Sequence, residues 1–201
     1  MTTANKITIT RILTIPLFVA MVIYYGHGVR LGHPEEWQRV AAILLFALAA
    51  LSDGIDGYIA RHYNQRTRLG LILDPIADKG LLLAGIITLS FSNWHYEFPL
   101  WFPILVISRD VVIVSGALLL HYINGKVTVR PSWLGKTATA LQMFSIVAAM
   151  LQVNRPELPF DPPFSWMDGM VVAAGIFTFI SGIGYVIDGV RQLQAGGHAH
   201  A

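Results

Sequence analysis

Asp53-Gly54-Ile55-Asp56-Gly57-Tyr58-Ile59-Ala60-Arg61, followed after a polar gap by Gly70-Leu71-Ile72-Leu73-Asp74-Pro75-Ile76-Ala77-Asp78, sets four carboxylates in an otherwise apolar part of the chain. Asp53, Asp56, Gly57, Ala60 and Arg61 fall at i, i+3, i+4, i+7 and i+8, and Gly70, Asp74 and Asp78 at i, i+4 and i+8. At about 100° per residue, each set shares one face of a helix. The runs that carry them, roughly 38–61 and 69–92, are long enough to cross a bilayer core, which takes about 20 mostly apolar residues. The short connection through Asn64-Gln65-Arg66-Thr67-Arg68 predicts antiparallel neighbours. With a rise of about 1.5 Å per residue, Asp56 and Asp74 sit roughly 8 Å from the connection, and Asp53 and Asp78 roughly 12–14 Å.

Working outward, four further apolar runs lie at roughly 7–26, 100–123, 134–153 and 167–190. The expected architecture is all-α, an integral membrane protein of six transmembrane helices. Breaks are expected at Gly26-His27-Gly28, at Asn124-Gly125 and in the stretch holding Pro156, Pro159, Pro162 and Pro163. The runs are too long for strands and lack period-two alternation. Composition agrees: 13% charged residues against about 25% in a typical soluble domain, and a mean hydropathy of +0.56. The first run contains Arg11 and Pro16 and lacks a small-residue cleavage site, so it reads as a retained span. Residues 1–193 read as one membrane domain and 194–201 as a disordered tail whose two histidines make only a weak metal pattern. Absent cysteine removes disulfides and thiolate chemistry. With a net charge of +2 and no basic run interleaved with aromatics, no nucleic-acid partner is expected.

Lys and Arg give the orientation. With the N- and C-termini both cytoplasmic, 11 of these residues fall on or nearer the cytoplasmic side, and only Arg30, Arg39 and Arg155 outside. Trp94, Trp101, Trp133 and Trp166 are expected in aromatic belts, His62 and His121 at interfaces, and Pro16, Pro75 and Pro103 as local adjustments of helices. The four acids then lie at two matching depths near the cytoplasmic end of two facing helices. An ionised acid at a helix centre costs about 2.5–3.5 kcal/mol even on the lenient insertion scale. Hard divalent cations with oxygen ligands are the natural compensation, and two of them balance four carboxylates. Two-metal sites stabilise both oxygens of a phosphoryl displacement. Small Gly57, Ala60 and Gly70 leave room for a ligand or for close helix approach.

The run reads D-x2-D-G-x2-A-R-x8-G-x3-D-x3-D from Asp53 to Asp78. It resembles the signature of the class I CDP-alcohol phosphatidyltransferases at every fixed position. That resemblance implies a six-helix homodimer in the inner (cytoplasmic) membrane, with a polar, metal-containing cavity open to the cytoplasm. It implies transfer of a phosphatidyl group from CDP-diacylglycerol to an alcohol, with release of CMP and with Mg²⁺ or Mn²⁺ as cofactor. By position it makes Asp53, Asp56, Asp74 and Asp78 metal ligands and Asp78 also the base. Gly57, Ala60, Arg61 and Gly70 would line the CDP site.

Arg11, Arg109, Arg130 and Lys136 are the candidates for an anionic acceptor. Arg109 stands beside Asp110 inside an apolar run; adjacent helix residues point about 100° apart, which argues against a pair. Lys136 lies at a helix start, where backbone N–H groups favour phosphate. Several cations suit a phosphorylated acceptor, with glycerol 3-phosphate the simplest. The segments Asn5 to Arg11 with Pro16, Asp74 to Lys79 and Gly135-Lys136-Thr137 resemble the phosphatidylglycerophosphate synthases. Arg109-Asp110 and Val129 to Ser132 are also similar to CDP-diacylglycerol-dependent cardiolipin synthases, whose acceptor is phosphatidylglycerol. From another class, a divalent-cation channel or transporter would need an acid-lined route from both sides, and the outer half offers no second series. A non-catalytic scaffold gives no reason for such costly charges.

Overall fold

The structure, a computed structural model, describes residues 3–62, 70–124, 132–151 and 165–197, with side chains for 7–52, 76–120, 122, 132–151 and 165–194. Six helices occur among them and no strand: α1 (Thr3–Leu31), α2 (Glu36–His62), α3 (Gly70–Phe91), α4 (Trp101–Asn124), α5 (Trp133–Leu151) and α6 (Trp166–Gly197). Among the described residues four stretches are long and apolar enough to cross a bilayer: Ile7–Leu31, Trp101–Leu120, Trp133–Leu151 and Trp166–Gln194. α2 and α3 are of comparable length and carry the motif acids. Leu13, Leu17, Leu44, Leu48, Leu118, Phe144 and Phe179 are exposed along the helices. Apolar faces of that extent suit lipid, not water, and the protein is a multi-pass membrane protein. Helix hydroxyls are satisfied in the manner lipid requires: Thr14, Thr88, Ser90, Thr137, Thr139, Ser145 and Thr178 each donate to the carbonyl four residues back.

The chain divides into two compact units. One holds the residues up to Phe98 and the end of α5 from Ile146; the other holds α4, α5 as far as Ser145, and α6. In the first unit α1 packs on α2 and α3, and α2 touches α3. Arg11 meets Ser52, Phe18 meets Phe46 with ring centroids 5.4 Å apart, and Tyr25 meets Glu36. Rising numbers on α1 match falling numbers on α2, so the pair is antiparallel. Against α3 the order is parallel: Arg11 meets Asp78, Ile15 lies beside Gly80, and Tyr25 meets Trp94 and His95 just past the helix. The buried side chains Phe18, Val22, Phe46, Leu81, Ile86 and Leu89 fill this seam.

The second unit shows the same alternation. Trp101 packs on Gly175, Arg109 on Ser181 and Gly182, and Leu120 on Gly189, so α4 and α6 are parallel. Gly135 faces Ser181 and Gln142 Nε2 donates to Thr178 Oγ1 at 2.7 Å, so α5 runs antiparallel to α6.

Three expectations are corrected. Gly26-His27-Gly28 does not break α1. A Cβ on Gly26 would lie 1.5 Å from the Ser92 carbonyl oxygen, so this glycine serves close helix approach. The stop comes later, at Gly32 with φ +78°, where Gly32 N–H donates to Val29 O and His33 N–H to Gly28 O in a Schellman arrangement. Trp94 is no belt residue: it is 4% exposed and its Nε1 donates to Val22 O at 2.9 Å. Trp101, Trp133 and Trp166 are exposed, as a belt requires. α6 continues to Gly197, so residues 194–197 are helical where a tail was expected. Gln192, Leu193, Gln194 and Ala195 are all good helix formers, so nothing local ends the helix at 193. Pro103 stands in the first turn of α4, where its missing N–H leaves no bond unmade. The segments around Asn64 to Arg68, after Gly125 and around Pro156 to Pro163, and the side chains of His62 and His121, lie outside the described residues.

Candidate active site

α2 is helical through Asp53 to Arg61 and α3 from Gly70 through Asp78, so the backbone holds the motif in the periodicity that its spacing requires. The side chains of Asp53, Asp56, Gly57, Ala60, Arg61, Gly70 and Asp74 lie outside those described, and Arg130 lies outside altogether. Asp78 is described. Its Oδ1 accepts a hydrogen bond from Arg11 Nη1 at 2.7 Å, with the arginine side chain 0% exposed and the aspartate 43%. Asp78 lies far along its helix from the connection, yet much of it is uncovered by protein. Distance along a helix from a loop is not coverage by neighbouring helices. Ser52, one residue before Asp53, hydrogen-bonds Ala49 O at 2.9 Å and thereby turns its lone pairs to Arg11 Nε, a long 3.5 Å away.

Among the described residues no three His, Asp or Glu gather as a metal site, and the side chains of three of the four motif acids are not among those described. The donor set itself fits: four carboxylates on two touching helices supply only oxygen, which hard divalent ions prefer.

In the second unit Arg109 Nη1 donates to Asp110 Oδ1 at 2.8 Å, with the two side chains 10% and 14% exposed. The pair that adjacent spacing argued against therefore forms. The two Cβ directions do diverge, but the guanidinium stands several bonds from its Cα and folds back over the carboxylate. Arg109 Nη2 also donates to Ser181 Oγ at 3.0 Å, and its guanidinium lies 5.4 Å from the centre of the Tyr185 ring. Gly135 and Gly182 give it room; a Cβ on either would come within 3.1–3.3 Å of it. At the start of α5, Ser132 Oγ accepts from Gly135 N–H at 3.0 Å and Ser132 O from Lys136 N–H at 3.2 Å. One N–H group that a phosphate could have used, that of Gly135, is thus taken by the helix's own cap, while Lys136 N–H makes the first bond within the helix. Lys136 is exposed, with Nζ 6.0 Å from the centre of the Trp133 ring.

Ser52, Ser132, Ser181 and Tyr185 were not foreseen. Ser181 and Tyr185 share a helix face by i, i+4 spacing within an apolar run. That isolated polar stripe was the available signal.

A membrane bundle with a carboxylate array on two adjoining helices defines a class, and the family comparison agrees. The family model described as CDP-alcohol phosphatidyltransferase matches residues 1–188, and the chain belongs to that family. The match runs through both units. Curated relatives narrow it further. A protein of Blochmanniella floridana named CDP-diacylglycerol–glycerol-3-phosphate 3-phosphatidyltransferase is 33% identical over 150 residues, 74% of this chain and 73% of that protein. Its namesake in Escherichia coli K12 is 32% identical over 150 residues, 74% of this chain and 76% of its own length.

Proposed function

We propose that the chain transfers the phosphatidyl group of CDP-diacylglycerol to glycerol 3-phosphate, giving phosphatidylglycerophosphate and CMP. The observation that carries this is the full signature from Asp53 to Asp78, in a chain at 32–33% identity to relatives named for that reaction. Asp53, Asp56, Asp74 and Asp78 would hold the divalent ions, two Mg²⁺ or Mn²⁺. Bound there, such ions neutralise the pyrophosphate and stabilise the departing CMP oxygen. Gly57, Ala60 and Gly70 line the space for CDP, and Arg61 offers it a cation. Asp78 takes the proton of the acceptor hydroxyl. The acceptor oxygen forms its bond to the phosphatidyl phosphorus, and the bond from that phosphorus to the CMP oxygen breaks.

Lys136 and Arg130, around the start of α5, supply charge for the acceptor's phosphate. Arg109, largely balanced by Asp110, shapes the wall beside them. Six spans, cytoplasmic termini and a site facing the cytoplasm are supported by the Lys and Arg distribution and by the helix alternation within each unit. The bacterial relatives favour the inner membrane, and the family resemblance a homodimer surrounded by lipid.

Purified protein should release CMP from CDP-diacylglycerol with glycerol 3-phosphate, lose this with EDTA, and release far less with phosphatidylglycerol. No CMP with any divalent cation would refute the enzyme reading. Preference for phosphatidylglycerol would move the assignment to cardiolipin synthesis.

A further inference from the structure

Among the described residues Arg11 is the only charged one that the protein buries. An arginine that receives a small anionic substrate presents its donors to open space. This one is enclosed, and its Nη1 donates at 2.7 Å to a carboxylate 67 residues away in sequence. The guanidinium joins three helices: it stands on α1, meets Asp78 on α3 and approaches Ser52 on α2. We propose that Arg11 is a positioning residue for the base rather than a ligand of the acceptor phosphate. Its Nη1 fixes the Asp78 carboxylate, and Ser52, its hydroxyl oriented by Ala49 O, fixes the guanidinium. The proposal rests on the base role given to Asp78 above. A base must come within about 2.6–3.2 Å of the proton it takes, and a misplacement of about 1 Å can cost about 100-fold in rate.

Two measurements test it. The first is a kinetic split in glycerol 3-phosphate. Arg11→Gln should lower kcat about 100-fold and leave KM for glycerol 3-phosphate within about twofold. Arg11→Lys, which keeps the charge and loses the fork, should recover part of kcat. A KM rise of about tenfold or more with kcat preserved would make Arg11 an acceptor ligand and overturn the proposal. The second is a thermal-unfolding cycle in detergent, which needs no activity. Arg11→Gln and Asp78→Asn should each lower Tm, and the double variant should lose clearly less than the sum of the two, because the shared contact is lost only once. Additive losses would overturn the pairing. Wild-type CMP release reads the proposed function separately, so the cycle stands or falls without it.

Discussion

Asp78 and Arg11 occupy one end of a seam between three helices, and their chemistry separates into two roles. The carboxylate is partly open and the guanidinium is closed in, so only the acid can reach a substrate. Asp78→Asn keeps the shape and removes the basic oxygen. It should lower turnover by about 10²–10⁴-fold, while Mn²⁺ binding, measured by magnetic resonance, persists on the remaining three acids. Turnover within about tenfold of wild type would remove Asp78 from the base role. The acids stand out in the sequence because charge inside an apolar run is conspicuous, and helical spacing predicts a shared face for them. Arg11's partner does not, because periodicity carries no information across 67 residues. Arg109 was misjudged for a different reason. Spacing rules describe where a side chain leaves the backbone, and a long arginine ends elsewhere.

Elements were read more reliably than their ends. All six helices coincide with the apolar runs, and among the described residues four of them are long and apolar enough to cross a bilayer. The end of α1 was misplaced because two glycines in sequence look like a turn whether or not a neighbouring backbone lies against them. Gly26 is explained only by Ser92, which is remote in sequence. The start of α5 shows a local device that does its work unaided. Ser132 accepts from Gly135 N–H, and Ser132→Ala should cost about 1 kcal/mol, as loss of an N-cap does. Thermal unfolding in detergent would register this as a lower Tm, with the Tm of Thr137→Ala, on the same helix beyond the cap, moving less.

At the scale of the whole molecule, the proposed crossing at every helix is supported by the alternation of helix direction within each unit. Native cysteine is absent, so single introduced thiols report topology without background. Glu97→Cys, exposed between α3 and α4, should react with an impermeant maleimide added outside intact cells, and Gln194→Cys, exposed near the end of α6, should react only after the membrane is opened. The reverse pattern would invert the orientation read from Lys and Arg. The composition gave the membrane environment, whereas the division into two units had no counterpart in the linear pattern.

The contact between Gly26 and the Ser92 carbonyl has mechanical meaning. α1 is continuous from that contact back to Arg11, fifteen residues or about 22 Å away, so it works as a lever arm with its fulcrum at the far end. Wedging the fulcrum open with a side chain and tilting the rod by about 5° would swing its tip by about 2 Å, enough to slacken the guanidinium's grip on the carboxylate.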